Sequence, residues 1–297
     1  VSRRVTLVVN PAAGKGRAQE MLPHVAGRFR DAGLDLEILL SRDFGEARQM
    51  AGDAVADRVD VLAVMGGDGM MHLGVNTCAP EHLTRGHPTA LGLIPAGTGN
   101  DLCRGVGLDP TDPVAAAAVI ASGRTVPIDV MRVNARFVGA VLATGFDALV
   151  NGRANAWPWP KGSMRYPLAV LAELRVFSPL QYRLILDGQS RELEAMFVAI
   201  GNTSCYGGGM RVCPQADPTD GLLDVTIIHP VSRLKLLRLL PLMYSGRFAR
   251  DRCVEQLRAR EITVEGPGLV GYGDGELISA APLRVSAVAR AVPLCVP

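Results

Sequence analysis

Val61-Leu-Ala-Val-Met65, followed at once by Gly66-Gly67-Asp68-Gly69, is the stretch on which the fold turns. A short apolar run without alternation reads as a strand buried on both faces, as in a parallel sheet. Three glycines in the next four residues cost more conformational entropy than a plain turn requires. Such loops bring backbone N–H groups up to a phosphate at the carboxyl edge of an α/β sheet. Asp68 reads either as a helix-start acid or as a group that handles Mg2+ or a hydroxyl, and the glycines around it favour the second.

Two more loops of this type flank it. Upstream, the apolar run Val5–Val9 ends in Asn10-Pro11-Ala12-Ala13-Gly14-Lys15-Gly16. This is not a Walker A loop, because Gly16 stands where Ser or Thr would meet Mg2+. Nor is it the dinucleotide fingerprint, because position 19 is Gln. Taken alone it is equally an ordinary strand–helix turn. Downstream, Thr89–Ile94 ends in Pro95-Ala-Gly97-Thr98-Gly99-Asn100-Asp101, whose last two residues also suit a helix cap. Three such loops on one sheet edge point to a nucleotide polyphosphate site.

The rest of the first half alternates accordingly. Helices are expected at Gly16–Ala32, Glu46–Val55 and Thr111–Ser122, with a further strand at Leu36–Leu40. Beyond Gly123–Val126 the pattern changes. Val126–Val133, Phe137–Ala143, Leu180–Leu186, Leu193–Ile200, Leu223–Ile228, Glu261–Val264 and Leu283–Val288 read as strands with few helices between them, an antiparallel sandwich. Helical insertions are expected at Met164–Phe177 and Ser232–Gly246. The fold class is therefore an N-terminal α/β nucleotide-binding domain, residues 1–125, followed by a larger antiparallel β-sandwich, residues 126–288.

The 297 residues are 48% apolar and 20% charged, which excludes a disordered chain. A net charge of +2 excludes a strongly polybasic nucleic-acid binder. The five histidines show no HExxH spacing and the six cysteines no CxxC pair, so no zinc is expected, and the thiols read as reduced, in a cytoplasmic protein. There is no GxSxG elbow and hence no serine hydrolase. No run of 18 apolar residues spans a membrane, and Val1–Asn10 reads as a strand rather than a secretory leader. A mean hydropathy of +0.20 leaves peripheral membrane contact open.

In order, Asn10–Gly16, Gly66–Gly69 and Pro95–Asp101 resemble the diacylglycerol kinase catalytic-domain family, which includes bacterial diacylglycerol kinases and the sphingosine and ceramide kinases. The order continues through Gly145-Phe-Asp147, Gly201-Asn202 with Tyr206–Met210, Asp220-Gly-Leu-Leu-Asp224 and Asp274-Gly275-Glu276. The resemblance implies an NAD kinase/phosphofructokinase-like first domain, to which the extreme C-terminus, about 289–297, returns. It also implies ATP in the cleft and a lipid hydroxyl that receives the γ-phosphate. By position, Asn10, Pro11, Ala12, Ala13, Gly14, Ser41, Gly66, Gly67, Asp68, Gly69, Met70, Met71, His72 and Thr98 line the ATP. Asp217, Asp220 and the carbonyl of Leu222 match the family's Mg2+ site; without the family, this segment is simply strong turn chemistry. Glu276 matches the proton acceptor, with Asp274 beside it, and Asp68 competes for that role. Asp274-Gly275 by itself is an ordinary hairpin turn.

The chain departs from the family where Met70-Met71-His72-Leu73 replaces the usual Thr, apolar residue, Asn and Glu. Reaching a bilayer calls for a membrane element. Trp157-Pro-Trp159-Pro-Lys161, with Arg165, suits a headgroup layer and equally a proline-stiffened packed loop. The leucines of Arg233–Leu240 spread around most of a helical wheel, which favours core packing over a clean interfacial helix. The expectation is an ATP- and Mg2+-dependent lipid kinase, at the inner face of the membrane, with diacylglycerol as acceptor and a homodimer open. The alternatives are another acceptor (a sphingoid base, ceramide, phosphatidylglycerol or NAD) or a nucleotide-binding regulator without turnover.

Overall fold

The computed structural model describes residues 2–85, 89–146, 150, 172 and 178–297. Four strands, β1 (Arg4–Val9), β2 (Asp35–Leu40), β3 (Val61–Gly66) and β4 (Ala90–Pro95), run parallel in the order β2-β1-β3-β4. β3 and β4 are buried along their whole length, which is why their sequences carry no polar alternation. Helices α1 (Arg17–Asp31) and α5 (Pro113–Ser122) cover one face, around Phe29 and Ile120. Helices α2 (Phe44–Ala56) and α3 (Asp68–Arg85) cover the other, around Met71 and Leu91. The short α4 (Asp101–Gly105) follows the third loop.

Local chemistry starts and stops these helices. Asp43 accepts from the N–H of Glu46 at 2.9 Å, and Glu46 accepts from the N–H of Arg42 at 2.6 Å, a reciprocal cap on α2. Asp112 caps α5, Pro113 opens it and Gly123 closes it in the left-handed conformation.

The second domain holds a six-stranded antiparallel sheet. It is built from β7 (Val141–Gly145), β10 (Phe197–Gly201), β11 (Leu223–Ile228), β12 (Val254–Ala259), β14 (Val270–Gly273) and β15 (Glu276–Ala280). Its partner layer contains β8 (Leu180–Leu186), β9 (Gln189–Ala195) and β13 (Glu261–Glu265), with β5 (Thr125–Val133), β6 (Arg136–Val138) and β16 (Leu283–Cys295). Val133, Leu142, Leu184, Ile200, Val225 and Val264 fill the space between the layers. Helix α6 (Arg233–Met243) covers the outer face of the six-stranded sheet.

β16 belongs to both domains. Leu283 pairs antiparallel with Val264 of β13, while Leu294 lies parallel beside Leu91 of β4. β5 runs antiparallel along its length, with a break between Val288 and Val292. Asp129, buried in the middle of β5, occupies that break. One of its oxygens accepts from the N–H of Arg290 at 2.7 Å and the other from the N–H of Gly221 at 2.6 Å. A buried carboxylate is tolerable there only because both oxygens are bonded.

Two expected strands are each two strands. Phe137–Ala143 divides at Gly139-Ala140 into β6 and β7, which lie in different sheets. Leu193–Ile200 divides at Met196 into β9 and β10, again in different sheets. Corner residues of a sandwich are apolar on both sides of the bend, so hydrophobicity does not mark it. Among the described residues no helix is long and apolar enough to cross a membrane. All six cysteines are unpaired. Asp147, Trp157, Trp159, Lys161, Arg165 and most of the expected Met164–Phe177 helix lie outside the described residues.

Candidate active site

The three glycine loops leave the carboxyl ends of β1, β3 and β4 and press against one another. The N–H of Asn10 donates to Met65 O at 3.0 Å, and the N–H groups of Ala96 and Gly97 both donate to Gly66 O, at 2.8 and 3.0 Å. The Asn10 side chain accepts from the N–H of Ala12 at 3.1 Å, shaping its own turn. Gly14 has φ +61° and packs on the carbonyl of Ala96, a place no side chain fits. Gly97 has ordinary φ, but a Cβ there would run into the Cα of Gly67. Gly14 and Gly97 are thus required for loop-on-loop contact. Ser41, at the end of β2, is buried and its hydroxyl donates to Val9 O at 3.0 Å. Thr98 is exposed on the cleft side.

Asp68 ties the second loop to the third. Its two oxygens accept from the N–H of Asn100 at 3.1 Å and of Asp101 at 2.7 Å. Asp101 in turn reaches across to the sandwich, accepting from the N–H groups of Gly208 and Gly209 at 2.8 and 2.7 Å. The glycine loop there folds on itself through the Tyr206–Met210 bridge. Burial pushes the Asp68 carboxyl above its ordinary range, against the backbone donors that favour its charge. Asp101 is pushed up to about 6, by burial first and then by the charge of Asp68.

The Asp274-Gly275 turn joins β14 to β15 and brings the sandwich to the start of α3. Asp274 and Gly275 both have positive φ, +51° and +84°, as a tight two-residue hairpin requires. The buried Asp274 carboxylate accepts from the N–H of Gly139 at 2.9 Å and of Ala140 at 2.8 Å, and lies 3.0 Å from His72 Nδ1. All of its near donors hold the turn. Glu276, one residue on, is exposed, and its carboxylate lies over Gly69. Among the described residues it makes no hydrogen bond or ion pair. Two cavities meet at this turn. The inner one, about 300 Å3, is bounded by Asp68, Met71, Thr98, Leu102, Ala140 and Tyr206. The outer one, about 460 Å3, is bounded by Arg48, His72, Asn76, Arg136 and Glu276.

The expected ATP-lining residues do not all present polar groups. Met70 and Met71 turn inward, because α3 starts at Asp68 and their N–H groups already donate to Gly67 O at 3.0 and 3.2 Å. His72 is buried, with Nδ1 on Asp274 and Nε2 3.3 Å from the amide of Asn76. These three positions support the loop and the turn from beneath, whereas Asn10–Gly14, Gly66–Gly69 and Thr98 share the sheet edge.

The Asp217–Leu222 turn sits elsewhere, packed on Asp129. Asp217 accepts from the N–H and hydroxyl of Thr219 at 3.0 and 2.7 Å; Asp220 accepts from the N–H of Leu222 at 2.9 Å and faces Arg258 at 3.4 Å. Among the described residues no group of three or more His, Cys, Asp or Glu is arranged to hold a metal. Two carboxylates and the Leu222 carbonyl are nonetheless an all-oxygen set, which fits an ion that keeps several waters, as Mg2+ does.

Two family models match this chain. Residues 4–133 match the family model described as the diacylglycerol kinase catalytic domain, and residues 140–296 match the YegS C-terminal NAD kinase beta sandwich-like domain. A "Diacylglycerol kinase" of Mycobacterium tuberculosis is 40% identical over 97% of this chain and 94% of its own length. The chain belongs to the diacylglycerol kinase family. A Stenotrophomonas maltophilia protein named "Probable lipid kinase YegS-like" is 32% identical over 99% of this chain and 96% of its own. A solved diacylglycerol kinase structure from Bacillus anthracis superposes with a TM-score of 0.80 over 99% of this chain and 97% of that one, at 24% identity, a likeness of fold. This family member is therefore a kinase by descent.

Asp101, Asp129 and Asn202 are the polar residues whose structural weight the sequence understates. Asn202 donates to Asp129 O at 2.8 Å and Gly139 O at 2.9 Å. The signal for Asp129 was an acid inside an apolar strand run; for Asp101 it was a second acid in a loop that needed only one cap.

Proposed function

We propose that this diacylglycerol kinase family member transfers the γ-phosphate of ATP to a lipid hydroxyl in a Mg2+-dependent reaction, with diacylglycerol as acceptor and phosphatidic acid as product. The observation that carries the reading is the meeting of three interlocked glycine loops with the carboxylate of Glu276, which has no partner among the described residues and is presented by the other domain. The names of the relatives favour diacylglycerol over a sphingoid base or NAD.

In this reading the backbone of Asn10–Gly14 and Gly97–Gly99 cradles the phosphates. The inner cavity, with Met71, Leu102, Ala140 and Tyr206, takes the acceptor. Glu276 removes the proton from the lipid oxygen as that oxygen bonds to the γ-phosphorus and the bond to the β-phosphate oxygen breaks. General-base help of this kind contributes about 10²–10⁴-fold. Asp68 has both oxygens committed to the third loop, so we assign it to holding the loops, with Asp274 holding the Glu276 turn. Mg2+, when bound, supplies charge neutralisation, and Asp217, Asp220 and the Leu222 carbonyl are the residues that would hold an ion in the sandwich.

Transfer of labelled γ-phosphate to mixed micelles holding diacylglycerol, ceramide, sphingosine or phosphatidylglycerol tests the assignment. Mg2+-dependent label in phosphatidic acid is expected. ATP binding with no labelled lipid from any acceptor would sink it.

A further inference from the structure

Helix α6 is apolar on two sides. Leu236, Leu239 and Met243 are buried against the six-stranded sheet, with Phe197 and Phe248. On the opposite side Leu234, Leu237, Pro241 and Tyr244 follow one another at spacings of three, four and three, a single outward ridge. Leu234 is 58% exposed, Leu237 40% and Tyr244 56%. This explains why the leucines spread around the wheel: the helix has an inner face that packs and an outer face that is exposed.

Among the described residues, the charge along positions 233–252 that has no ion-pair partner is of one sign. Arg233, Arg238, Arg247, Arg250 and Arg252 are exposed, and among the described residues none has an ion-pair partner. The basic residue Lys235 is already bound to Asp251, and Asp251 is the one acid between positions 233 and 252. The helix end is also fixed to the cleft wall. The N–H of Arg211 donates to Met243 O at 2.9 Å, directly beyond the Tyr206–Met210 loop whose glycines bond Asp101.

We propose that the outer face of α6 docks on an anionic phospholipid surface, with Leu234, Leu237 and Tyr244 sunk into the interface and the arginines on the headgroups. The occupant follows from charge complementarity: an apolar ridge whose neighbouring charges without an ion-pair partner, among the described residues, are all cations suits a surface that is apolar within and negative without. The proposal deepens the lipid-kinase reading and rests on it for its purpose, since docking here sets the Tyr206–Met210 wall of the cleft beside the bilayer.

The test is co-sedimentation of the full chain with vesicles of phosphatidylcholine alone and of phosphatidylcholine with phosphatidylglycerol. Binding to the anionic vesicles, weakened by salt, is expected. The double variant Leu234→Gln, Leu237→Gln should lose about 10²-fold in partitioning, and Arg238→Gln about fivefold. Both should keep the parent's melting temperature, since these side chains touch solvent. Transfer to a short-chain diacylglycerol free in solution should be unchanged in the leucine variant, while transfer to vesicle-embedded acceptor falls. Undiminished vesicle binding by that variant, or equal binding to neutral and anionic vesicles, would overturn the proposal. So would lipid-free self-association that the variant abolishes, which would give the face to a second copy. Leucine-dependent binding with no transfer to any acceptor would uphold docking and reject the kinase reading instead.

Discussion

Replacing Gly97 by Ala adds one methyl group at the point where the third loop crosses the second. The backbone at Gly97 needs no positive φ, so the substitution carries no conformational strain of its own. The new Cβ would lie 3.0 Å from Asn100 Oδ1 and 3.1 Å from the nitrogen of Gly67, and closer still to the Cα of Gly67. Carbon atoms prefer about 3.5–4.0 Å, so one loop must yield by about 1 Å. Two of the three nearest atoms are backbone, which cannot rotate away as a side-chain tip can. Overpacking of this kind costs about 1–3 kcal/mol. A displacement of about 1 Å in a positioning loop costs about 10²-fold in transfer. Gly69→Ala is the matched control. Its Cβ would meet only Glu276 Oε1, at 3.4 Å, an ordinary contact. The assay is γ-phosphate transfer at saturating ATP and acceptor, with ATP affinity measured by calorimetry and folding by thermal melting. Gly97→Ala should remain folded, melt lower, bind ATP more weakly and turn over about 10²-fold more slowly. Parent-like ATP affinity and transfer within about twofold would refute the claim that the interlocked loops are the phosphate cradle.

Glu276→Gln should leave ATP affinity unchanged and lower transfer by about 10²-fold, read from single-turnover kinetics. Asp274→Ala leaves the N–H groups of Gly139 and Ala140 and the His72 ring without their acceptor, and should destabilise by about 2–4 kcal/mol in a urea titration. Asp101 takes up its proton near pH 6 in the folded chain and below that when unfolded. Its ionisation therefore subtracts from stability as pH rises from about 4 to 6. Over the same rise its charged form gains the strongest hold on Gly208 and Gly209, so transfer should increase with pH through about 6. Asp101→Asn should flatten that limb of the pH–rate profile, which a stopped assay across pH 5–8 reads directly. Asp220→Ala should raise the Mg2+ concentration needed for half-maximal transfer; an unchanged titration would remove the turn from the metal's account.

The first domain was legible because β1, β3 and β4 are buried along nearly their whole length. Val61–Met65 and Thr89–Ile94 stand out as apolar runs, and the glycine loops sit at their ends. α3 was not, because Gly74, Asn76 and Pro80 dilute its helical signal and its apolar positions do not form one stripe. In the sandwich, β12 is half-buried and carries Glu255, Gln256 and Arg258, so composition marks it as surface. The Asp274-Gly275 turn was read both as a hairpin and as the carrier of Glu276, and the hairpin is what delivers the side chain to Gly69. The wheel of α6 pointed to core packing, which accounts for its inner half; its outer half needed the structure, since a sequence does not say which of two apolar faces is covered. The partners of Asp68, Asp101 and Asp129 are backbone N–H groups between 32 and 161 positions away, a relation that spacing along the chain does not encode.

The most direct test follows the fate of the γ-phosphate by phosphorus NMR, with ATP, Mg2+ and a short-chain diacylglycerol, for the parent and for Glu276→Gln side by side. The account predicts one phosphomonoester lipid formed for each ADP by the parent, and bound but nearly unconsumed ATP in the variant. Equal turnover by both chains, or ADP accompanied only by inorganic phosphate, would contradict it.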